Sequence, residues 1–370
     1  MIRRARIFAA AVSILTLACL LHHHCTNTAA TTRPLQRPPS VLLPANSTLG
    51  FGAILAVSHA NSPRQQSLLW AANLTDIVIV IPAQKEWTVG HIEGLKAKES
   101  GLSSDDRFLT SDHETALIIE DDTDFDISIR NSQIPLLASA VRSLFSNNHG
   151  DDTLYWAHTS NWDLLYPGHC DDLISTAYLS QPSLFYTDPT VPSYSVLHPD
   201  TALFLSSLSV PSKTRILHRS YWPFCTFAYA VNRQSAALIL SSFSQEPTGG
   251  SSAYDVALLS ACRDQDWKCW SVAPELFHHV LGDSEIFKAD RTGGGKGEAA
   301  ERKTTVRGTW NLACGARHGQ LWANETNEEM RKLVKGRVKI AIQRGECPID
   351  KVVVEETWKG CELEECGAQL

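Results

Sequence analysis

Glu120, Asp121 and Asp122 close an apolar, β-branched run, TALIIEDD. A buried strand of this kind delivers its acidic residues at its carboxyl end, and in open α/β sheets ligands bind just outside the carboxyl ends of strands. Adjacent carboxylates repel one another unless a cation or a basic group compensates them. A hard divalent ion with oxygen ligands, Mg2+ or Mn2+, meets that need. Beside a diphosphate it would also stabilise the departing group. The plain alternative is a solvated acidic turn. Asp122, Asp124 and Asp126 share the spacing of an EF-hand, but Ile127 stands where that loop needs glycine and Gln133 where it needs glutamate. The glycine-rich stretch GGGKG lacks Walker spacing and the hydroxyl residue after its lysine. The stretch GGSSA lacks the last glycine of a nucleophile elbow.

Further candidates lie downstream in WDLLYPGHC, FCTFAYA, AYDVALL and PELFHH. Each has a bland reading. Trp162 and Tyr229 suit a core, Asp255 can flank a helix, and His278 and His279 can sit at the surface.

These residues need a scaffold. The runs at residues 53–58, 76–82, 115–120, 162–166, 226–231 and 268–272 are apolar or β-branched and predict strands. Ser62-Pro63 opens a helix whose buried side is Leu68, Leu69 and Trp70. Apolar spacing predicts further helices over 134–145, 233–241 and 253–262. Alternation of strands and helices implies an α/β sandwich around a largely parallel sheet. Residues 289–305 are rich in Gly, Lys and Glu and read as a mobile loop. After Trp322 the chain is strongly charged and reads as peripheral, within an extension over 306–370. No internal repeat is present.

With 370 residues, 43% of them hydrophobic, the chain can bury a sizeable core. Its net charge of −7 argues against a general nucleic-acid binder. Arg3, Arg4 and Arg6 precede an apolar run over 7–21 that ends in three histidines. That layout predicts a cytoplasmic tail and signal anchor over residues 1–24, with a cleaved secretory signal as the alternative. The positive flank stays cytosolic, which places the rest in the lumen of the endoplasmic reticulum or Golgi as a single-pass type II protein. Three sequons, at Asn46, Asn73 and Asn324, agree with export. Eight cysteines follow residue 25 and suit an oxidising compartment. Residues 25–49, poor in large side chains, read as a flexible stem.

Taken together and in order, SPR after the opening strand, ALIIEDD, WDLLYPGHC, CTFAYAV, YDVALL and PELFHH resemble glycosyltransferase family 25. This is the group of lipopolysaccharide and collagen galactosyltransferases, and the likeness is nearest to its fungal, secretory-pathway branch. It covers residues 50–281, with a weaker tail, WNLACGAR, at 310–317. The resemblance implies a GT-A-like α/β/α sandwich with a mostly parallel central sheet, over residues 50–288. It implies transfer of a sugar, galactose first, from its UDP form to a glycan or protein acceptor. Glu120 and Asp122 would hold Mn2+ or Mg2+, with His278 as a third ligand. Asp121 and Asp163 would bind or orient the donor. An inverting transfer needs a base for the acceptor hydroxyl, and Asp255 is the candidate, with Glu275 as the alternative.

One departure matters. The family carries a Gly/Ala-rich helix with a histidine just before the acidic strand. Here KAKESGLSSDD runs straight into RFLTS, so the first part of that helix is missing. The competing expectations are therefore a catalytically impaired protein that still binds carbohydrate or nucleotide, and an unrelated lumenal acidic metal-binding protein.

Overall fold

In a computed structural model, residues 32–36, 42–59, 61–82, 108–145, 154–170, 182–243, 254–280 and 308–349 are described. The predicted anchor, the mobile loop at 289–305 and the junction before Arg107 lie outside them. Among the described residues no helix is long and apolar enough to cross a membrane.

Among the described residues there are ten strands: β1 (Thr32–Gln36), β2 (Ala53–Val57), β3 (Thr115–Glu120), β4 (Thr123–Phe125), β5 (Leu164–Gly168), β6 (Ser183–Thr187), β7 (Thr214–Arg219), β8 (Ala228–Asn232), β9 (Cys269–Ala273) and β10 (Phe277–His279). Six α-helices accompany them there: α1 (Arg64–Leu74), α2 (Ile134–Phe145), α3 (Pro199–Ser207), α4 (Arg233–Phe243), α5 (Tyr254–Asp264) and α6 (Glu328–Arg344). Eight strands make one sheet in the order β1-β6-β7-β9-β5-β8-β3-β2, and β4 pairs with β10 in a small ribbon.

The sheet is mixed, which corrects the expectation of a mostly parallel one. Only β1/β6, β5/β9 and β2/β3 pair in parallel. The junctions β6/β7, β7/β9, β5/β8 and β3/β8 are antiparallel. Apolar runs buried on both faces look alike in either direction, so sequence period does not reveal strand polarity.

Strand alternation splits the core into two layers. Leu117 and Ile119 of β3 join the layer filled by α1, α2 and α6. Ala116 and Ile118 face the other way, against α4 and α5. Helices on both faces make the three-layer α/β sandwich. The segment at 76–82 is not a strand in this sheet. Val80 makes an isolated bridge to Leu55, and Val78 and Val80 are exposed at that edge.

Two boundary expectations also change. Within the supposed stem, β1 adds to the sheet and Ala45 and Leu49 are buried. The charged C-terminal region is not peripheral. Its helix α6 buries Val334, Val338 and Ala341. Trp70 of α1 donates its indole N–H to the Leu321 carbonyl at 2.7 Å, and Arg331 lies over the same ring. Helix α6 carries charge on its outer face and a thin apolar stripe inward, so mean composition hides its packing. Six cysteines pair as Cys170–Cys225, Cys262–Cys269 and Cys314–Cys347.

Candidate functional site at the end of the third strand

β2 and β3 run in parallel, with Val57 beside Glu120. Their carboxyl ends therefore open at the same edge. The Asp121 N–H is held by the Val57 carbonyl at 3.1 Å. Ser58, the residue after β2, donates its hydroxyl to Asp121 Oδ2 at 2.6 Å.

The basic group that the carboxylates require comes from α1. Arg64 reaches back with Nε at 3.3 Å from Asp121 Oδ1 and Nη1 at 2.9 Å from Asp122 Oδ2. A second guanidinium comes from the C-terminal segment. Arg317 Nη1 donates to the carbonyls of Asp121 and Thr123 at 2.7 and 2.8 Å, and Nη2 donates to Ser67 Oγ at 2.7 Å. Two arginines thus surround the acidic turn.

Glu120 faces a different environment. Its Oε1 accepts the Thr226 hydroxyl at 2.6 Å. Burial pushes its carboxyl up to about 7, the Thr226 bond opposes this, and the nearby charges of Asp122, Asp255 and Asp121 add to the rise. Burial also raises Asp122, against the pull of Arg64. Asp122 Oδ1 is buried with no hydrogen-bond partner. Asp255 stands at the start of α5, where its Oδ1 accepts the Val256 N–H at 2.8 Å. Its charge is among those that raise the Glu120 carboxyl.

The other predicted residues divide: β10 pairs with β4, which sets His278 opposite Asp124 beside the acidic turn, while Asp163 is placed elsewhere. Asp163 precedes β5, which shares the direction of β3 because both are antiparallel to β8. Asp163 therefore lies at the opposite edge of the sheet, and its Oδ2 accepts the Lys268 N–H at 2.7 Å. It is not brought to the acidic turn. Glu275 and His278 pair with each other, Nδ1 to Oε1 at 2.5 Å. Asn311 donates to the same carboxylate oxygen, and Glu275 is fully buried. Burial pushes Glu275 up, but His278, His169 and Asn311 together hold it below its ordinary value. With Nδ1 engaged by Glu275, His278 acts first as a partner of that carboxylate. Among the described residues no three His, Cys, Asp or Glu side chains converge as a group able to hold a metal.

No protein-family model matches this chain. No curated protein matches it either. The likeness to family 25 therefore rests on the residues quoted above.

Among the carboxylates of the turn, one buried oxygen is left without a hydrogen-bond partner. It is Asp122 Oδ1; Asp121 is taken up by Ser58 and Arg64. Sequence reasoning missed Ser58 as part of this site, and carried Arg64, Thr226 and Arg317 only as parts of motifs.

Below the turn, Asp124 is a structural residue. Its Oδ2 accepts the Thr309 hydroxyl at 2.7 Å and its Oδ1 the N–H groups of Phe125 and Arg317. Gly315 makes this possible, because a Cβ there would lie 2.4 Å from Asp124 Oδ2. Gly315→Ala is expected to destabilise the fold by about 1–3 kcal/mol through overpacking. Urea denaturation checks it, and an unchanged midpoint would show that the carboxylate moves aside freely.

The raised carboxyls also set a pH dependence. Glu120 at about 7 and Asp126 at about 6 bind protons more tightly in the folded chain than at their ordinary values of 4.5 and 3.8. Stability contributed by the protonated acids is present at low pH and is lost as pH rises through the folded values. The melting temperature should therefore fall between pH 5 and about 7.5 on this account, and Glu120→Gln should flatten the slope. An equally steep slope in that variant would remove Glu120 as its source.

Proposed function

We propose that the chain is a glycosyltransferase that moves a sugar, galactose first, from a UDP-sugar to a hydroxyl of a lumenal glycan or protein. One observation carries the reading: three carboxylates close β3, next to the edge strand β2 of the sheet, with Asp122 Oδ1 buried and unpartnered. The order of the family-like motifs adds to it.

In this reading Glu120 and Asp122 would hold Mn2+ or Mg2+, which supplies positive charge to the departing diphosphate. Arg64 and Arg317 offer guanidinium groups for phosphate oxygens, which suit that fork geometry. The acceptor oxygen bonds to the anomeric carbon as the bond from that carbon to the phosphate oxygen breaks. The acceptor proton passes to a carboxylate. Asp255 is the better candidate, since its charge acts on Glu120 while Glu275 is enclosed and committed to His278 and Asn311. The reading includes a type II anchor in residues 1–24 and a Golgi or endoplasmic reticulum lumen.

A second reading, a non-catalytic relative that keeps nucleotide or carbohydrate binding, is favoured by the Arg64 bridge. Arg64 already neutralises Asp121 and Asp122 without a metal. The missing helix portion before Arg107 points the same way. Calorimetry with UDP and UDP-galactose, with and without Mn2+, separates the readings. Mn2+-dependent binding with turnover supports the transferase, and metal-independent binding without turnover supports the second reading. Absence of any nucleotide binding would sink both.

A further inference from the structure

The three sequons fold into two different local structures. Asn46 is exposed, and its Oδ1 accepts the Thr48 N–H at 3.1 Å, the Thr48 hydroxyl at 3.2 Å and the Gly50 N–H at 2.7 Å. The Thr48 hydroxyl is also directed at the Phe51 carbonyl. Asn324 repeats the arrangement. It is exposed, and its Oδ1 accepts the N–H and the hydroxyl of Thr326, both at 3.0 Å. In each sequon the threonine hydroxyl meets the amide oxygen of its own asparagine, and the amide nitrogen is left to solvent.

Asn73 is built differently. It lies in α1, one residue from the helix end, where the backbone separates it from the hydroxyl of its sequon. Thr75 is buried and turns its hydroxyl to the carbonyls of Ala71 and Ala72 at 2.9 and 3.2 Å. Asn73 is exposed like the other two, but its Oδ1 accepts Lys335 Nζ of α6 at 3.1 Å, which ties the side chain across two helices at the surface.

We infer that Asn46 and Asn324 carry N-linked oligosaccharide and that Asn73 does not. The inference rests on the lumenal placement argued above, and not on the transferase reading. The donor class is an oligosaccharide on a lipid diphosphate. The asparagine nitrogen bonds to the sugar's anomeric carbon, the bond from that carbon to phosphate oxygen breaks, and the lipid diphosphate leaves. One amide proton passes to the transferring enzyme. A hydrogen bond to the amide oxygen makes that N–H more acidic, which favours the two sequons whose hydroxyl is so placed. A helical asparagine cannot present the extended turn that brings amide and hydroxyl together. The site of Asn46 is also permissive. It precedes β2, while the carboxylates lie beyond the strand's other end, about 17 Å away at ~3.3 Å per residue. A glycan there leaves the acidic turn open.

The test uses the full chain expressed in a eukaryotic host. Release of glycans by peptide N-glycosidase in oxygen-18 water converts each occupied asparagine to labelled aspartate, which peptide mass spectrometry maps. Label is expected at residues 46 and 324 and not at 73. Asn46→Gln and Asn324→Gln should each remove one glycan step in gel mobility, and Asn73→Gln should leave mobility unchanged. Label at Asn73 matching the other two would overturn the inference and leave the lumenal placement standing. No label at any site in a cytosolic product would overturn both.

Discussion

Arg317→Ala is expected to cost about 3–5 kcal/mol of folding stability, because it strips charged hydrogen bonds, worth about 1.5–3 kcal/mol each, from two carbonyls and the Ser67 hydroxyl. Arg317 joins three parts of the chain: the acidic turn through the Asp121 and Thr123 carbonyls, α1 through Ser67 and the Arg64 carbonyl, and the C-terminal segment that carries it. Burial lowers its own affinity for a proton, and Asp124, Asp122 and Asp121 counter that. In return it lowers the fully buried Asp124, which burial otherwise raises. Without the guanidinium, Asp124 and Asp122 should take up protons at a higher pH in the folded chain. Raised folded values mean that the variant loses further stability as pH rises above the unfolded carboxylate range. The gap between wild type and variant should therefore widen from pH 5 to pH 8. Urea unfolding at the two pH values measures it. A gap of equal size at both would show that the loss is packing alone, and a gap below about 1 kcal/mol would place Arg317 among exposed, weakly coupled pairs.

The elements with strong local patterns were legible. The helix predicted over 134–145 is α2, Ile134–Phe145, because its apolar residues recur at helical spacing and bury one broad face. The run TALIIE is β3, flanked on both faces by core. Polarity was not legible, since β8 between β3 and β5 reverses the local direction without any mark in its residues. β1, β4, β6, β7 and β10 were also missed. TRILHR in β7 buries an arginine and a histidine, which reads as surface until Arg215 meets Asp188 at 2.6 Å. The run at 76–82 shows the converse: β-branched residues raise strand propensity, yet pairing is decided by the neighbours available at a sheet edge.

At the site, the position of the carboxylates was legible because a strand's end is a local property. Their partners were not. Arg64 and Asp122 are 58 residues apart, and Arg317 and Asp121 are 196 apart, so each contact exists only through the tertiary fold. The same holds for Glu275 and His278, which are close in sequence but whose exclusive pairing depends on burial beside Asn311. Asp163 is the clearest lesson. An acidic residue beside a core strand looked like a donor contact, but it precedes its strand where Glu120 ends one, and strand direction then separates them by the height of the sheet.

Asp122→Asn is expected to abolish most of the Mn2+-dependent gain in UDP binding while leaving metal-free binding intact. The amide keeps the size of the side chain and an oxygen for Arg64, so packing of the turn is preserved. It removes the negative charge that a hard cation prefers in an oxygen ligand. Changes in the shell behind metal ligands already cost on the order of 10–100-fold in metal affinity, so loss of a ligand's charge should cost at least that. Without metal, removal of one of three neighbouring carboxylates should leave UDP affinity equal or slightly improved, because a repulsive charge near the diphosphate is gone. Asp124→Asn is a poor control, since Asp124 supports Thr309 and Arg317 and its loss acts through folding. Asp163→Asn is the better one, lying at the other edge of the sheet. Titration of UDP into each variant, with and without Mn2+, reads both quantities. If Asp122→Asn retains the full Mn2+ increment, the cation binds elsewhere. If wild type shows no increment, Arg64 is the permanent counter-ion of the acidic turn and the chain binds its nucleotide, where it binds one, without metal.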